Sequence, residues 1–133
     1  MPPERRSACP IACALDLIGD RWTLLIIRDM LFFNKQRFEE FLESPEGIST
    51  NILTNRLKML EEFGLVEKHR YSSHSRRMNY SLTDYGRSLR PVLKAMLAWG
   101  TRYIPETQTM LPTSTDQPML DQIVPNAGEI VEK

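Results

Sequence analysis

The segment from Gly47 to Leu82 constrains the fold of this chain most strongly, because it combines a helix signal, a glycine turn and two strand signals in a fixed order. Apolar residues recur at three- and four-residue spacing in its first half, at Ile48, Ile52, Leu53, Leu57 and Leu60. This spacing predicts an amphipathic helix with one face on a core. Gly64 suits the left-handed end of such a helix. Alternating residues from Leu65 to Arg70 and from Met78 to Leu82 then predict two short strands joined by a basic loop.

The opposite face of the predicted helix is polar. Plotted at about 100° per residue, Asn51, Thr54, Asn55 and Lys58 fall away from the apolar side. Amides and hydroxyls offer donors and acceptors, and lysine adds a cation; these groups contact phosphates and base edges in a DNA major groove. A polar-faced helix, a glycine turn and a basic hairpin therefore predict a DNA-binding winged helix-turn-helix.

Charge is distributed unevenly along the 133 residues, although the formal net charge is zero. Residues 49–80 carry six cations and three anions, a net charge of +3, whereas residues 104–133 carry one cation and five anions, a net charge of −4. A local positive field can steer DNA even when the whole chain is neutral. We expect one DNA-binding and dimerisation domain, 1–103, followed by an acidic, proline-containing tail, 104–133, that is extended or disordered.

Several functional classes find no support in the sequence. The N-terminal residues do not resemble a secretory signal, and no apolar run approaches a membrane span, so we expect a cytoplasmic protein with no membrane partner. Its two cysteines are then expected to be free thiols. We expect no enzyme activity and no cofactor, because no glycine-rich phosphate loop, Ser/His/Asp arrangement or tight carboxylate pair is recognisable.

The remaining helices complete the predicted architecture, which is mainly α with a small β-hairpin wing (α+β). Pro10 opens a first helix that Gly19 ends, and Asp20 is the expected N-cap of a second. A third helix covers 37–42, and Ser49 caps the fourth. A closing helix runs from Thr83–Asp84 to Gly100, and its internal Pro91 should kink it or split off its first turn. The apolar stripe of this helix predicts a dimer interface, formed by Leu89, Val92, Leu93, Met96 and Trp99; alternatively it closes the core of its own chain.

These residues resemble the HxlR family of bacterial transcriptional regulators, a relative of the MarR group. The landmarks, in order over Cys9 to Gly100, are Cys9-Pro10-Ile11, Ile18-Gly19, Trp22-Thr23, Arg37-Phe38, Gly47-Ile48-Ser49, Leu53-Thr54, Leu57-Lys58, Leu60, Gly64-Leu65-Val66, Tyr80, Leu82-Thr83, Gly86, Pro91-Val92-Leu93 and Trp99-Gly100. The resemblance implies a homodimer formed by the first and last helices, which binds a short palindromic duplex and regulates a nearby promoter, more commonly as a repressor. Two features depart from the family pattern. The loop has His74, Ser75, Arg76 and Arg77 in place of a proline pair, and Asp20 replaces a glycine.

The predicted DNA-binding residues are Ser49, Thr50, Asn51, Thr54, Asn55, Arg56, Lys58, Arg70, Arg76 and Arg77. Backbone amides at the start of the helix favour a phosphate. Asn51, Thr54 and Asn55 are candidates for base edges, and Arg56 and Lys58 for the flanking backbone. The wing arginines suit phosphates or a narrow minor groove.

Four alternatives concern ligands and partners. Cys9 starts a helix, where the dipole favours a thiolate, so it is a candidate redox or electrophile sensor, with an oxidant or small molecule as inducer. The resemblance extends to this role, since some HxlR-type regulators sense oxidants at this cysteine. Cys13 is expected to pack. A small-molecule pocket near Trp22 and Trp99 is the other way in which the same fold could act as a responsive switch. A protein-interaction module that uses the winged helix only as a scaffold is the alternative without DNA binding. Zinc bound by Cys9, Cys13, His69 and His74 is a weaker alternative.

Overall fold

Helices form most of the regular secondary structure in the computed structural model, which describes residues 4–70, 72 and 77–108. In chain order the elements are α1 (Pro10–Ile18), α2 (Thr23–Phe32), α3 (Phe38–Leu42), α4 (Thr50–Glu62), β1 (Val66–Arg70), β2 (Met78–Leu82), α5 (Asp84–Arg87) and α6 (Arg90–Tyr103). The predicted class, mainly helical with a two-stranded hairpin, is confirmed. No helix among these residues is both long enough and apolar enough to span a bilayer.

By their internal contacts the described residues divide into two units, one up to Ser88 and one from Leu89 onward. The core of the first unit lies where α2, α3, α4 and the hairpin meet. Its side chains with an exposed fraction of 2% or less include Ile26, Ile27, Phe41, Leu53, Leu57, Leu60, Leu65 and Val66. Three of these residues form the apolar face of α4, and full burial of each contributes about 1.5–3 kcal/mol. The core therefore holds α4 by one face.

Both ends of α4 follow the sequence prediction. Ser49 is the N-cap, and its Oγ accepts a hydrogen bond from the backbone N–H of Ile52 at 3.2 Å. At the other end Gly64 has φ +78°, a left-handed conformation that glycine adopts without steric cost. Its N–H donates to the Glu61 carbonyl at 3.1 Å, and the Leu65 N–H donates to the Leu60 carbonyl at 2.9 Å. This closure turns the chain directly into β1.

The hairpin that follows α4 gains support from a third segment. β1 pairs with β2 in an antiparallel register that runs from Val66↔Leu82 to Arg70↔Met78. A single bridge joins Arg37 to Asn79, and the Tyr80 N–H donates to the Gln36 carbonyl at 2.7 Å. An isolated two-stranded hairpin is marginal in water, so these contacts stabilise the predicted wing.

Two predicted helix boundaries are wrong. Asp20 is not the N-cap of α2, because Arg21 and Trp22 form a turn first and α2 begins at Thr23. The Asp20 carboxylate spans this turn and accepts hydrogen bonds from the backbone N–H groups of Trp22 and Thr23, each at 3.0 Å. The last helix does not end at Gly100, which lies within α6 and whose carbonyl accepts from the Ile104 N–H at 2.9 Å.

Pro91 divides the closing helix as predicted. The short helix α5 ends at Arg87, and α6 begins at Arg90 with Pro91 in its first turn. Proline is tolerated there because backbone N–H groups in the first turn of a helix have no intrahelical acceptor, so the N–H that proline lacks is not needed. Within the second unit Ala98 is buried, and Leu97 and Tyr103 pack against it. The domain boundary expected between 103 and 104 stays a prediction, because the chain beyond 108 lies outside the described residues.

Candidate nucleic-acid interface

The two faces of α4 differ sharply in exposure. Its apolar side chains are buried, whereas the opposite side presents an exposed polar surface of Thr50, Asn51, Thr54, Asn55 and Lys58. The five residues recur over three turns of one 13-residue helix, so they form a continuous strip. We call this strip the outer face of α4. The outer face carries hydroxyl, amide and ammonium groups and no acidic residue.

Hydroxyl groups near the start of the outer face are partly engaged in the helix itself. Ser49 is exposed, but its Oγ serves as the cap acceptor described above. The Thr54 hydroxyl donates to the Thr50 carbonyl at 2.8 Å. Asn51 and Asn55 are therefore the outer-face residues best suited to pair with a base, since an amide offers a donor and an acceptor side by side.

Two cations of the hairpin are exposed at the end where the connecting loop joins the two strands. Arg70 is the last residue of β1, opposite Met78, and Arg77 immediately precedes Met78. The two arginines thus lie at neighbouring positions across the hairpin. Arg76 lies outside the described residues, and its assignment stays a prediction.

An open cleft of about 520 Å³ separates α4 from the hairpin. Lys58 of α4 and Lys68 of β1 both line it, together with Phe38, Thr54, Leu57, Glu61, Glu62 and Tyr80. Lys68 was not among the predicted site residues; its only sequence signal was its position on a predicted strand beside the recognition helix. Partial burial and the nearby Glu61 carboxylate raise the pKa of the Tyr80 phenol, which stays neutral. Glu61 and Glu62 make the last turn of α4 unfavourable for phosphates, whereas its first turns favour them.

Arg56 does not lie with the outer face. Its side chain is one quarter exposed, its Nε lies 3.5 Å from Oδ2 of Asp20, and its Nη1 donates to Sδ of Met59 at 3.2 Å. The structure therefore places Arg56 beside the turn before α2, apart from Asn51, Asn55 and Lys58.

A buried carboxylate fixes the turn that leads into α4. Asp29, 3% exposed, accepts hydrogen bonds from the Arg28 guanidinium at 2.9 and 3.1 Å and from the Ser44 hydroxyl. Lys35 Nζ lies 3.7 Å from the same carboxylate and donates to Ser44 Oγ at 2.9 Å. This network was not predicted from the sequence, because its hydrogen-bonded partners lie up to 15 residues apart.

Arg28 extends the network to the turn itself. Its two terminal nitrogens donate to the two carboxylate oxygens of Glu46, each at 2.8 Å, in a bidentate pair. This hydrogen bonding lowers the pKa of Glu46 and raises that of Arg28. Gly47 follows with φ +72°, so the chain reverses into α4 at a position that both ion pairs hold in place.

Cys9 is exposed and immediately precedes α1, whereas Cys13 is half-buried; both are free thiols. The Cys13 thiol donates to the Ser7 carbonyl at 3.3 Å. Arg6, a candidate for stabilising a Cys9 thiolate, is paired with Asp16 at 2.7 Å. No group of three or more His, Cys, Asp or Glu side chains suited to a metal occurs in the part of the chain that the structure describes, and His74 lies outside it.

The predicted dimer residues on α6 fall into two groups. Val92, Met96 and Trp99 are 39%, 54% and 56% exposed, an unusual exposure for large apolar side chains, whereas Leu89 and Leu93 are half-buried. In the first unit, a cavity of about 10 Å³ lies beside Trp22, where a small-molecule pocket was considered. Such a volume accommodates about one water molecule.

Comparison with known proteins identifies the family. The model of the HxlR-like helix-turn-helix family matches residues 17–108, which contain α2 to α6 and the hairpin. The chain belongs to the HxlR-like helix-turn-helix family. This membership confirms the resemblance inferred from the sequence landmarks and agrees with the winged helix-turn-helix architecture.

Individual relatives are also regulators by name. An HTH-type transcriptional regulator of Mycobacterium tuberculosis is 41% identical over 95 residues, which cover 71% of this chain and 59% of the relative. This chain thus spans about three fifths of that relative's length. Among solved structures, PA1607, a candidate transcription factor, is 38% identical with a TM-score of 0.72, covering 84% of this chain and 78% of its own. The redox regulator HypR in its oxidised form is 34% identical with a TM-score of 0.62, and the match covers 70% of this chain and 95% of HypR.

Proposed function

We propose that this protein is a sequence-specific, DNA-binding transcriptional regulator that acts as a homodimer on a short palindromic site and represses the promoter that contains it. The observation that carries the proposal is the outer face of α4, an exposed polar strip on a helix whose other face is locked into the core. The first turn of α4 offers backbone amides and the positive end of the helix dipole to a phosphate. Asn51 and Asn55 then face base edges, and Lys58 faces the flanking backbone.

The hairpin is proposed as the second contact. Lys68 lines the same cleft as Lys58, so each wall offers a cation to a sugar–phosphate strand, although Glu61 and Glu62 line the cleft as well. Arg70 and Arg77, which flank the connecting loop of the hairpin, suit the adjacent minor groove, as does Arg76. Loss of both Arg70 and Arg77 to Ala should weaken selected and random DNA alike, whereas Arg5→Ala, which removes an exposed cation elsewhere, should not.

Dimerisation through α6 accounts for its exposed apolar residues. Val92, Met96 and Trp99 recur at helical spacing, and a second copy of α6 is the partner whose matching stripe would cover them. Two copies would present two recognition helices to half-sites about 10 base pairs apart, as in other helix-turn-helix dimers. Met96→Glu should yield a monomer by analytical ultracentrifugation, whereas the exposed control Thr101→Glu should not.

The test of the proposed function is selection of binding sites from a pool of random duplexes with the full-length protein. We expect enrichment of a two-fold symmetric site that binds about 10³-fold or more tightly than random duplex. The logarithm of the binding constant should fall with the logarithm of salt concentration, by about 0.9 per phosphate contact. A reporter with the site in its promoter should lose expression when the protein is present. A pool that never enriches would contradict the proposal and favour the protein-interaction module.

A second proposal, control by oxidation, is supported by the likeness to HypR, which is described as a redox regulator. We propose that Cys9 is the responsive thiol, because it is exposed, whereas Cys13 is half-buried and donates to Ser7. Hydrogen peroxide should change DNA affinity in the wild type and in Cys13→Ser, but not in Cys9→Ser. An unchanged affinity in all three proteins would remove this proposal without affecting the first.

A further inference from the structure

One cation of α4 points away from the DNA-facing side. Arg56 lies between Asn55 and Leu57, at the border of the outer and buried faces, and its guanidinium reaches the turn that precedes α2. There its Nε is shielded from solvent and faces Oδ2 of Asp20 at 3.5 Å. The side chains of Arg56 and Asp20 are 26% and 24% exposed, so the pair is partly protected from water.

Asp20 is a well-fixed anchor for this arginine. Its carboxylate accepts from the N–H groups of Trp22 and Thr23, each at 3.0 Å, and from the Thr23 hydroxyl. Partial burial works to raise the pKa of Asp20, but these hydrogen bonds and the Arg56 charge hold the pKa below its ordinary value. The carboxylate is therefore ionised at neutral pH, and its position does not depend on Arg56.

We propose that Asp20 and Arg56 are positioning residues, which fix the rotation of α4 about its axis and keep the Arg56 cation off the DNA. The inference rests on the proposed DNA-binding function. The ion pair ties the second turn of α4 to the turn before α2 and so adds a constraint on helix rotation to the packing of the buried leucines, because the attraction between the two charges weakens as they move apart. Rotation matters at this site, since a shift of about 1 Å at Asn51 or Asn55 breaks a bidentate contact with a base.

The rival role for Arg56 is a direct phosphate contact, and salt dependence separates the two roles. A lost phosphate contact lowers the salt slope by about 0.9 and weakens selected and random duplex equally. A lost positioning pair leaves the slope unchanged and weakens only the selected duplex. Lys58→Gln serves as the matched control, because Lys58 is exposed on the outer face of the same helix.

The experiment measures the affinity of full-length variants for the selected and a random duplex across a salt series. For Arg56→Gln we expect the ratio of the two affinities to fall about fivefold with an unchanged slope. For Asp20→Asn we expect the same fall in the ratio, together with tighter binding to random duplex and a slope that rises by about 0.9, because Arg56 is released to reach a phosphate. The double variant should recover the wild-type slope. Circular dichroism and thermal unfolding confirm that each variant is folded.

Two outcomes would overturn the inference while leaving the proposed function intact. In the first, Arg56→Gln lowers the salt slope as much as Lys58→Gln does, which would make Arg56 a direct contact. In the second, Asp20→Asn leaves both the affinity ratio and the salt slope at the wild-type values. If instead the wild type and Lys58→Gln show neither selectivity nor salt dependence, the proposed function fails, and this inference fails with it.

Discussion

Two aspartates hold the recognition helix α4, and they do so in different environments. Asp29, on α2, is 3% exposed and binds Arg28, Lys35 and Ser44 around the turn before α4. Asp20, ahead of α2, has a side chain that is 24% exposed and faces a single cation of α4. The first network fixes where the helix begins, and the second pair faces its second turn. The difference indicates that one aspartate serves folding and the other serves the orientation of the helix.

Burial decides how much each group contributes to stability. Removal of one partner from a buried ion pair leaves an uncompensated charge, which costs about 3–5 kcal/mol. A partly exposed pair is screened by water, and its loss typically costs about 1 kcal/mol or less. Variants at Asp29 should therefore lower the free energy of unfolding, whereas variants at Asp20 should lower DNA selectivity in a protein that stays folded.

The largest effect is expected for Asp29→Ala. Arg28 keeps Glu46 as a partner, but Lys35 and Ser44 lose their shared carboxylate, so we expect a loss of about 3 kcal/mol in the free energy of unfolding. Urea denaturation followed by circular dichroism measures it. The matched control is Asp84→Ala, which removes a fully exposed carboxylate paired with Arg87 and should give no resolvable change. Equal midpoints for the two variants would show that the Asp29 network does not support the fold.

A smaller loss is expected for Ser44→Ala. The Ser44 hydroxyl donates to Asp29 and accepts from Lys35, so its removal leaves a buried acceptor and a part-buried donor each short of one hydrogen bond. We expect a loss of about 1–2 kcal/mol by the same denaturation. The exposed serine variant Ser72→Ala provides the control. A Ser44→Ala protein as stable as this control would show that the Ser44 hydroxyl does not contribute to stability and that only the ion pairs of the network do.

The pH dependence of stability tests the outer end of the network. The hydrogen bond from Arg28 lowers the pKa of Glu46, so the stabilisation is fully present above the unfolded value of about 4.3 and is lost as pH falls through the folded value. Glu46→Gln should therefore lose under about 1 kcal/mol at neutral pH, since the carboxylate is one third exposed. Below pH about 4 the difference from the wild type should shrink. A difference that is constant across pH would contradict the ion-pair explanation.

The smallest stability effect is expected for Asp20→Asn. The amide oxygen can still accept from the Trp22 and Thr23 backbone, and the amide nitrogen can donate to the Thr23 hydroxyl in place of the bond that the carboxylate accepts from it. The main loss is therefore the charge, and the expected change is about 0.5 kcal/mol or less. The same variant should show the altered DNA selectivity described above. A loss comparable to that of Asp29→Ala would erase the distinction between the two aspartates.

Local signals explain why much of α4 and the hairpin could be predicted. Ser49 and Gly64 mark the ends of the helix by capping chemistry that depends on nearest neighbours. The apolar spacing of Leu53, Leu57 and Leu60 predicted which face is buried. The strands followed from alternation, and Pro91 marked the break in the closing helix.

Contacts between distant positions could not be predicted in this way. In the sequence Arg28 and Asp29 only interrupt an apolar helix, and nothing nearby indicates that Ser44 and Glu46 fold back onto them. Arg56 was assigned to the flanking DNA backbone because it is a cation next to Asn55 in the sequence, although helical plotting did not place it on the polar face. The direction of a long side chain at the border of two faces depends on a partner from another element, which here is Asp20. Asp20 itself was predicted as a cap because the extra turn at Arg21 and Trp22 has no distinctive sequence signal.

If the outer face of α4 reads DNA sequence, its two asparagines should carry the preference of the protein for the selected duplex over random duplex. The affinity for the selected duplex divided by that for random duplex should be measured for the wild type, for the double variant Asn51→Ala/Asn55→Ala and for Gln36→Ala, an exposed amide away from α4. We predict that the double variant loses about 30-fold or more of this ratio, because each amide contributes about 1–3 kcal/mol of base discrimination. Its affinity for random duplex should stay at the wild-type value, and Gln36→Ala should match the wild type throughout. A folded double variant that keeps the full ratio would contradict the claim.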